Sequence, residues 1–210
     1  MYADRCWHWT EITDPFEVIV GAILVQNTAW TNVEKAVDSL RAANALTIDS
    51  MSSLSEFELQ GLVRNSGQYR QKAKKLRAFL ELESSSGGLP ALLSLPHEEL
   101  RSTLLQTWGI GPETADVIVL YAAHQPSFVI DAYTRRMFGR LGIGPAQFEG
   151  YETWRAFFQT SLPVDVARWA QYHALIVMHC KYFCTKRRPR CGDCELAPRC
   201  PASEMVPVNE

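Results

Sequence analysis

The stretch WGIGPETAD, residues 108–116, places Gly109 and Gly111 directly before Pro112. Glycine lets a backbone turn tightly and lets another group come close. Proline is tolerated in the first turn of a helix, where its missing N–H would have no partner anyway. The stretch therefore reads as a tight connection that opens a helix at Pro112, running to about residue 123. Upstream, Pro96 opens a helix of the same kind that ends near residue 107. Two helices joined by a glycine turn make a hairpin over roughly residues 98–123. Amides at the start of its second helix, helped by the helix dipole, can hold a phosphate.

Working outward, the pattern stays helical. Residues 15–26 (PFEVIVGAILVQ) form a dense apolar run that periodicity alone reads as buried helix or strand. The Asn-Thr that follows, and the helix-forming residues 33–42, favour helix. Amphipathic helices follow at 55–64 and 71–82, and SSSGGLP at 84–90 is the clearest loop. Further helices fall at 132–139, 151–161 and 164–183. No strong period-2 strand signal and no internal repeat is present, so the fold class is all-α.

The 210 residues are 47% hydrophobic and 21% charged, enough to bury a core and too apolar for a disordered chain. No apolar run approaches the roughly 20 residues that span a bilayer, which excludes a membrane role of the helical kind. Asp4, Arg5 and His8 interrupt the N-terminus where a signal peptide needs an apolar core; a cytoplasmic location is the default expectation. Net charge is −2, yet the cations are bunched. Arg64, Arg70, Lys72, Lys74, Lys75 and Arg77 share one stretch without an acid, and Lys181, Lys186, Arg187, Arg188, Arg190 and Arg199 crowd another. Two basic patches on a near-neutral chain suit a single face turned to a polyanion.

Four of the six cysteines, Cys184, Cys191, Cys194 and Cys200, fall within 17 residues. In a cytosolic chain such clustering points to metal rather than disulfides. Soft thiolates suit Zn²⁺ or an iron–sulfur cluster, and spacing alone does not choose. Cys180 and Cys6 lie outside the spacing and read as packed thiols. Between hairpin and cysteines comes Asp131, after the apolar run Phe128-Val129-Ile130 and before a helix, a good position for an N-cap.

The run LIVMHCKYFC at 175–184, followed by Arg187, Pro189, Cys191 and Cys194, resembles the C-terminal signature of the endonuclease III family. That resemblance implies a [4Fe–4S] cluster on Cys184, Cys191, Cys194 and Cys200, tying a basic loop into shape. Gly109 to Asp116 resembles that superfamily's helix-hairpin-helix, which holds DNA backbone without reading sequence and implies DNA contacts at Gly109, Gly111 and Thr114. Asp131 then falls on the catalytic aspartate of the helix-hairpin-helix DNA glycosylases, whose carboxylate stabilises positive charge on the sugar and orients or deprotonates water. Bifunctional relatives carry a lysine where this chain has Glu113, and a carboxylate cannot form their Schiff base. Glu113 therefore implies a monofunctional enzyme with weak or absent lyase activity.

Trp7-His8-Trp9, Pro15 to Val18 and the Gln26-Asn27-Thr28 motif with Trp30 resemble the branch that excises alkylated purines such as 3-methyladenine. Trp7, Trp9 and Trp30 become the expected base pocket, since an electron-rich indole attracts a cationic base by roughly 0.5–2 kcal/mol. Gln26 matches the residue that fills the gap left by a flipped base. Residues 67–75 resemble the helix leading toward DNA, with Lys72 among its contacts. The implied whole is a monomer on double-stranded DNA carrying a damaged base. One helical lobe spans residues 23–130; residues 1–22 with 131–210 form the second, with the cluster loop at 184–200 and Asp131 at the junction. Alternatives are an oxidised-pyrimidine glycosylase with weak or no lyase activity, a non-catalytic damage-binding protein, and a zinc-stapled helical adaptor.

Overall fold

The structure, a computed structural model, describes residues 12–205. The described residues are helical with no strand among them, and they divide into two compact units, one ending at Gln125 and one beginning at Pro126. The expected tryptophans Trp7 and Trp9, and Cys6, lie outside the described residues. None of the described helices is long and apolar enough to cross a membrane.

The first unit is built around α1 (Pro15–Leu24), whose residues from Val18 to Leu24 are all buried. Asp14 caps it, accepting from Phe16 N at 2.9 Å, and Pro15 occupies its first turn. An apolar helix of this kind needs neighbours on every side. It finds them in α2 (Trp30–Ala42), α5 (Tyr69–Ser85), α8 (Pro112–Val117) and the π-helical turn Ile118–Ala122 that continues α8. This is why the expected lobe boundary at residue 23 moves: α1 is the centre of the first unit and belongs with the residues that follow it. Asn27, at φ 56°, turns the chain from α1 into α2, a left-handed position that asparagine tolerates better than most residues.

Short helices α3 (Ile48–Ser53) and α4 (Glu56–Leu62) each start on a capping box, Thr47 with Ser50 and Ser55 with Glu58. The first of these was not anticipated, because six residues carry too little periodicity to register. Helix α5 starts two residues earlier than expected and ends at Ser85, past the predicted start of the loop; α6 (Leu89–Leu93) takes up Leu89 and Pro90. Helix α7 (His97–Gln106) then leads into the hairpin.

Lys72, expected on the DNA-facing surface, is 2% exposed. Its ammonium donates to Leu24 O at 2.8 Å and to Ser66 O, the carbonyls at the ends of α1 and of the 3₁₀ turn Arg64–Ser66. It closes two helix ends that lack intrahelical partners, so the basic run between 64 and 77 is not one surface. Arg77 is likewise turned inward, donating to Ser52 O at 3.0 Å and to Leu54 O.

In the second unit the extended segment at 126–131 is threaded through an aromatic core. Phe128 stacks on Phe158 at 4.3 Å and meets Trp169 edge-on at 5.9 Å. With no strand partner, its amides use side chains: Phe128 N donates to Gln159 Oε1 and Ile130 N to the Tyr151 hydroxyl, both at 3.2 Å. Around it lie α9 (Ala132–Leu141), α10 (Tyr151–Ser161) and α11 (Val166–Tyr182), and α9 packs along α11.

Burial, with the charge of Lys75 as a smaller cause, lowers the Lys72 pKa from 10.5 to about 8. Between pH 8 and 10.5 the unfolded chain holds a proton that the folded chain has released, so this group makes stability rise with pH in that window. Lys72→Met leaves two carbonyls without their donor and should cost about 2 kcal/mol at neutral pH. In urea unfolding, the gap between wild type and variant should widen from pH 8 to 10; a constant gap would count against a buried, proton-releasing lysine.

Candidate functional site

In the hairpin, α7 and α8 are clamped by an ion pair: Arg101 Nε meets Asp116 Oδ1 at 2.8 Å and Nη2 meets Oδ2 at 3.3 Å. The two side chains are 9% and 0% exposed. Between the helices, Ile110 is buried as an anchor while Trp108 stands 54% exposed. Gly109 adopts φ +84°, and a Cβ there would come within 2.4 Å of Lys75 Cγ. It is glycine for both reasons. Gly111 has open space where a side chain would be, so the turn can be approached closely from that side. Glu113 is exposed in the first turn of α8, where its charge favours the helix dipole.

The structure draws Gln26, Gly109 and Thr114 together. Gln26 Nε2 donates to Gly109 O at 3.2 Å and to Thr114 Oγ1 at 2.9 Å, and Lys75 Nζ donates to Gln26 Oε1. Thr114 is itself buried. Burial lowers the Lys75 pKa. Lys75 was invisible as an individual in its basic run; only the Gly109 contact singles it out. Trp30, in the first turn of α2, borders a cavity of about 590 Å³ together with Asp14, Glu17, Glu34 and Asp38.

The second unit holds the candidate carboxylate. Asp131 caps α9 and is 8% exposed. Its Oδ1 accepts from Thr134 N at 2.7 Å and from Thr134 Oγ1 at 2.8 Å. Its Oδ2 faces His173 Nε2 at 3.6 Å. The N-cap reading and the catalytic reading are therefore compatible, since the two oxygens do different things. Burial pushes the carboxyl pKa up, but His173 and the two Thr134 bonds outweigh it and hold the group below its ordinary value. Thr134 and His173 were missed in the sequence; three residues after an N-cap, a hydroxyl was the available signal.

The four cysteines of the C-terminal spacing line one cavity of about 220 Å³, with Met137, Phe183 and Leu196 among its walls. Polar groups reach their sulfurs: Arg140 Nη1 donates to Cys184 Sγ at 3.1 Å, and His179 Nε2 lies 3.4 Å from Cys194 Sγ. The Cys184 thiol is pushed down by its neighbour Cys180, with Arg140 adding to the effect against burial. Arg136 donates to Cys184 O at 2.9 Å, and Arg140 also to Thr185 O at 2.8 Å, so α9 holds the loop's first residues. Cys180 is a buried thiol donating to Tyr133 O, as its place outside the spacing implied. Among the described residues no three His, Cys, Asp or Glu side chains converge closely enough for a single metal ion.

Helices joined by a glycine hairpin, ahead of an N-capping buried aspartate and a thiol-lined loop, define a class of DNA-repair fold, and comparison with known proteins agrees. Residues 20–163 match the family model of the HhH-GPD superfamily base excision DNA repair proteins, and the chain belongs to that superfamily. It is 39% identical over 196 residues to a Methanocaldococcus jannaschii protein provisionally named a DNA repair glycosylase, covering 92% of this chain and 88% of the relative. A non-covalent endonuclease III–DNA complex shares the fold at TM-score 0.82 and 22% identity, covering 98% of this chain and 91% of the other. A Helicobacter pylori 3-methyladenine DNA glycosylase bound to 1,N6-ethenoadenine matches at TM-score 0.72 and 26% identity, covering 84% and 90%.

Thr134→Val keeps the backbone bond to Asp131 and removes the hydroxyl bond. The Asp131 carboxyl pKa should rise, read from a carboxyl ¹³C titration. An unmoved titration would show that the hydroxyl contributes nothing to the ionised state.

Proposed function

We propose that this protein is a monofunctional DNA N-glycosylase that releases damaged bases, alkylated purines first among them, by attack of water at the sugar. The observation that carries the proposal is the divided Asp131 carboxylate, with Oδ1 fixed by Thr134 and Oδ2 left facing His173. Held ionised and nearly dry, it is suited to stabilise the positive charge that develops on the sugar as the base departs. The same oxygen can orient or deprotonate the incoming water. A base that is cationic before cleavage leaves as a neutral molecule and needs no proton donor. A site whose chemistry rests on one carboxylate kept below its ordinary pKa matches such a leaving group better than it matches a neutral pyrimidine.

Three further features support this reading. Glu113 stands where bifunctional relatives carry the Schiff-base lysine, and a carboxylate cannot form that bond. Trp30 borders a cavity lined by four carboxylates and one cation, Arg41, which pairs with Glu17 and Asp38; the negative charge in excess there favours a cation over an indole. The likeness to the Helicobacter pylori 3-methyladenine enzyme reaches 26% identity. Gly109, Gly111 and Thr114 would hold the DNA backbone, and Gln26 would fill the space left by the extruded base.

Cys184, Cys191, Cys194 and Cys200 would hold a [4Fe–4S] cluster. Their soft thiols line one cavity of about 220 Å³, and four thiolates are the donor set of such a cluster. Purified protein should carry about four irons and four sulfides and absorb near 400 nm. Cys194→Ser should lose the absorption along with folded stability. Zinc in place of iron would refute the cluster.

The decisive test is base release from duplexes carrying one methylated purine or one oxidised pyrimidine, with and without alkali. Methylpurine release should dominate, strands should break only after alkali, and Asp131→Asn should be slower by about a hundredfold or more. Preferential release of oxidised pyrimidines would instead place the chain with the endonuclease III activities. Lesion binding without any release would make it a damage-binding protein.

A further inference from the structure

Gln26 lies two residues beyond the end of α1, and both ends of its carboxamide are engaged. The oxygen accepts from Lys75 Nζ; the nitrogen donates to Gly109 O at 3.2 Å and to Thr114 Oγ1 at 2.9 Å. The orientation of the amide is forced, because an ammonium only donates and a peptide carbonyl only accepts. Gln26 is thus folded onto the hairpin in the free protein.

Lys75 sets this arrangement. Its aliphatic stem crosses Gly109 so closely that a Cβ there would fall 2.4 Å from Cγ, 2.9 Å from Cδ and 3.0 Å from Cε. The stem is therefore registered against the hairpin backbone, and the ammonium is delivered to Gln26. Its acceptor there is a neutral carboxamide, although the side chain is partly buried and its pKa lowered. A phosphate oxygen brought to the same turn offers a full negative charge and a bond about twice as strong. The open space at Gly111 is where such a backbone can come close.

We infer that Lys75 is the positioning residue for Gln26. It holds the carboxamide against the hairpin in the free protein, and a DNA phosphate arriving at the turn draws the ammonium away and releases Gln26 into the duplex. The inference rests on the proposed role of Gln26 in filling the gap at an extruded nucleotide. It makes insertion follow seating of the backbone, so the probing side chain is withheld from DNA that is not docked on the hairpin.

The test separates insertion from base release. A duplex carrying a tetrahydrofuran abasic analogue has no base to lose, and 2-aminopurine beside the analogue brightens as its stacking is broken. The first-order brightening rate is measured by stopped flow with protein in saturating excess, so that weaker binding does not enter. Lys75→Met keeps the stem across Gly109 and removes the charge; the rate should rise about tenfold, since one charge-assisted bond no longer has to break. Thr114→Val removes a different bond to the same carboxamide and should raise the rate about threefold, which keeps the test available should Lys75→Met fail to fold. Gln26→Ala should abolish the brightening. An unchanged or slower rate in the Lys75 or Thr114 variants overturns the inference, as does a wild-type trace from Gln26→Ala. If the traces run as expected while no lesion base is ever released, the positioning role stands and the glycosylase reading falls.

Discussion

The Arg101–Asp116 pair is the constraint on which the hairpin depends. A bidentate guanidinium–carboxylate contact at 2.8 and 3.3 Å, with Asp116 wholly buried, fixes α7 and α8 relative to one another. Taking either partner away would leave a buried charge without its counter-ion, which costs far more than the pair itself contributes. With the two helices fixed, the turn between them has little freedom. Gly109 takes its left-handed conformation, Ile110 drops into the core, and Trp108 is left outside. Lys75 then crosses Gly109 and meets Gln26. A buried charge pair with no chemistry of its own thereby positions the groups expected to meet DNA.

A second economy operates at Asp131. Capping α9 engages only part of its carboxylate: the Thr134 bonds saturate Oδ1 and hold the start of the helix, while Oδ2 looks toward His173. The threaded segment before it, pinned by Phe128 stacked on Phe158, prevents the capping residue from drifting. The aromatic core of the second unit and the orientation of one carboxylate are thus a single structural problem. Helix α9 also serves the loop beyond, because Arg136 and Arg140 on its later turns reach the carbonyls and sulfur of Cys184 and the residues after it.

Much of this was legible in residue order. The prolines at 96 and 112, the paired glycines and the cysteine spacing are local signals, and local signals survive without a structure. The Asp131 cap was equally readable. Lys72 shows where such reading breaks down. Lysine in a basic run is almost always exposed, and nothing in the run marks this one as the donor to carbonyls at Leu24 and Ser66, 48 and 6 residues away. Arg101 and Asp116 are similar: each looks like a solvated charge until the turn between them brings the two together.

The sequence by itself determined the longer helices, the hairpin, the identity of the capping aspartate and the grouping of the four thiols. Each follows from the conformational preferences of residues within a few positions of one another. Only the tertiary structure decided which cations are buried, which glycine is required by a neighbour's side chain, and which oxygen of Asp131 faces His173. Those depend on groups far apart in the chain meeting at hydrogen-bond distance. Burial then decides their protonation, since removing water penalises a charge unless a partner arrives with it.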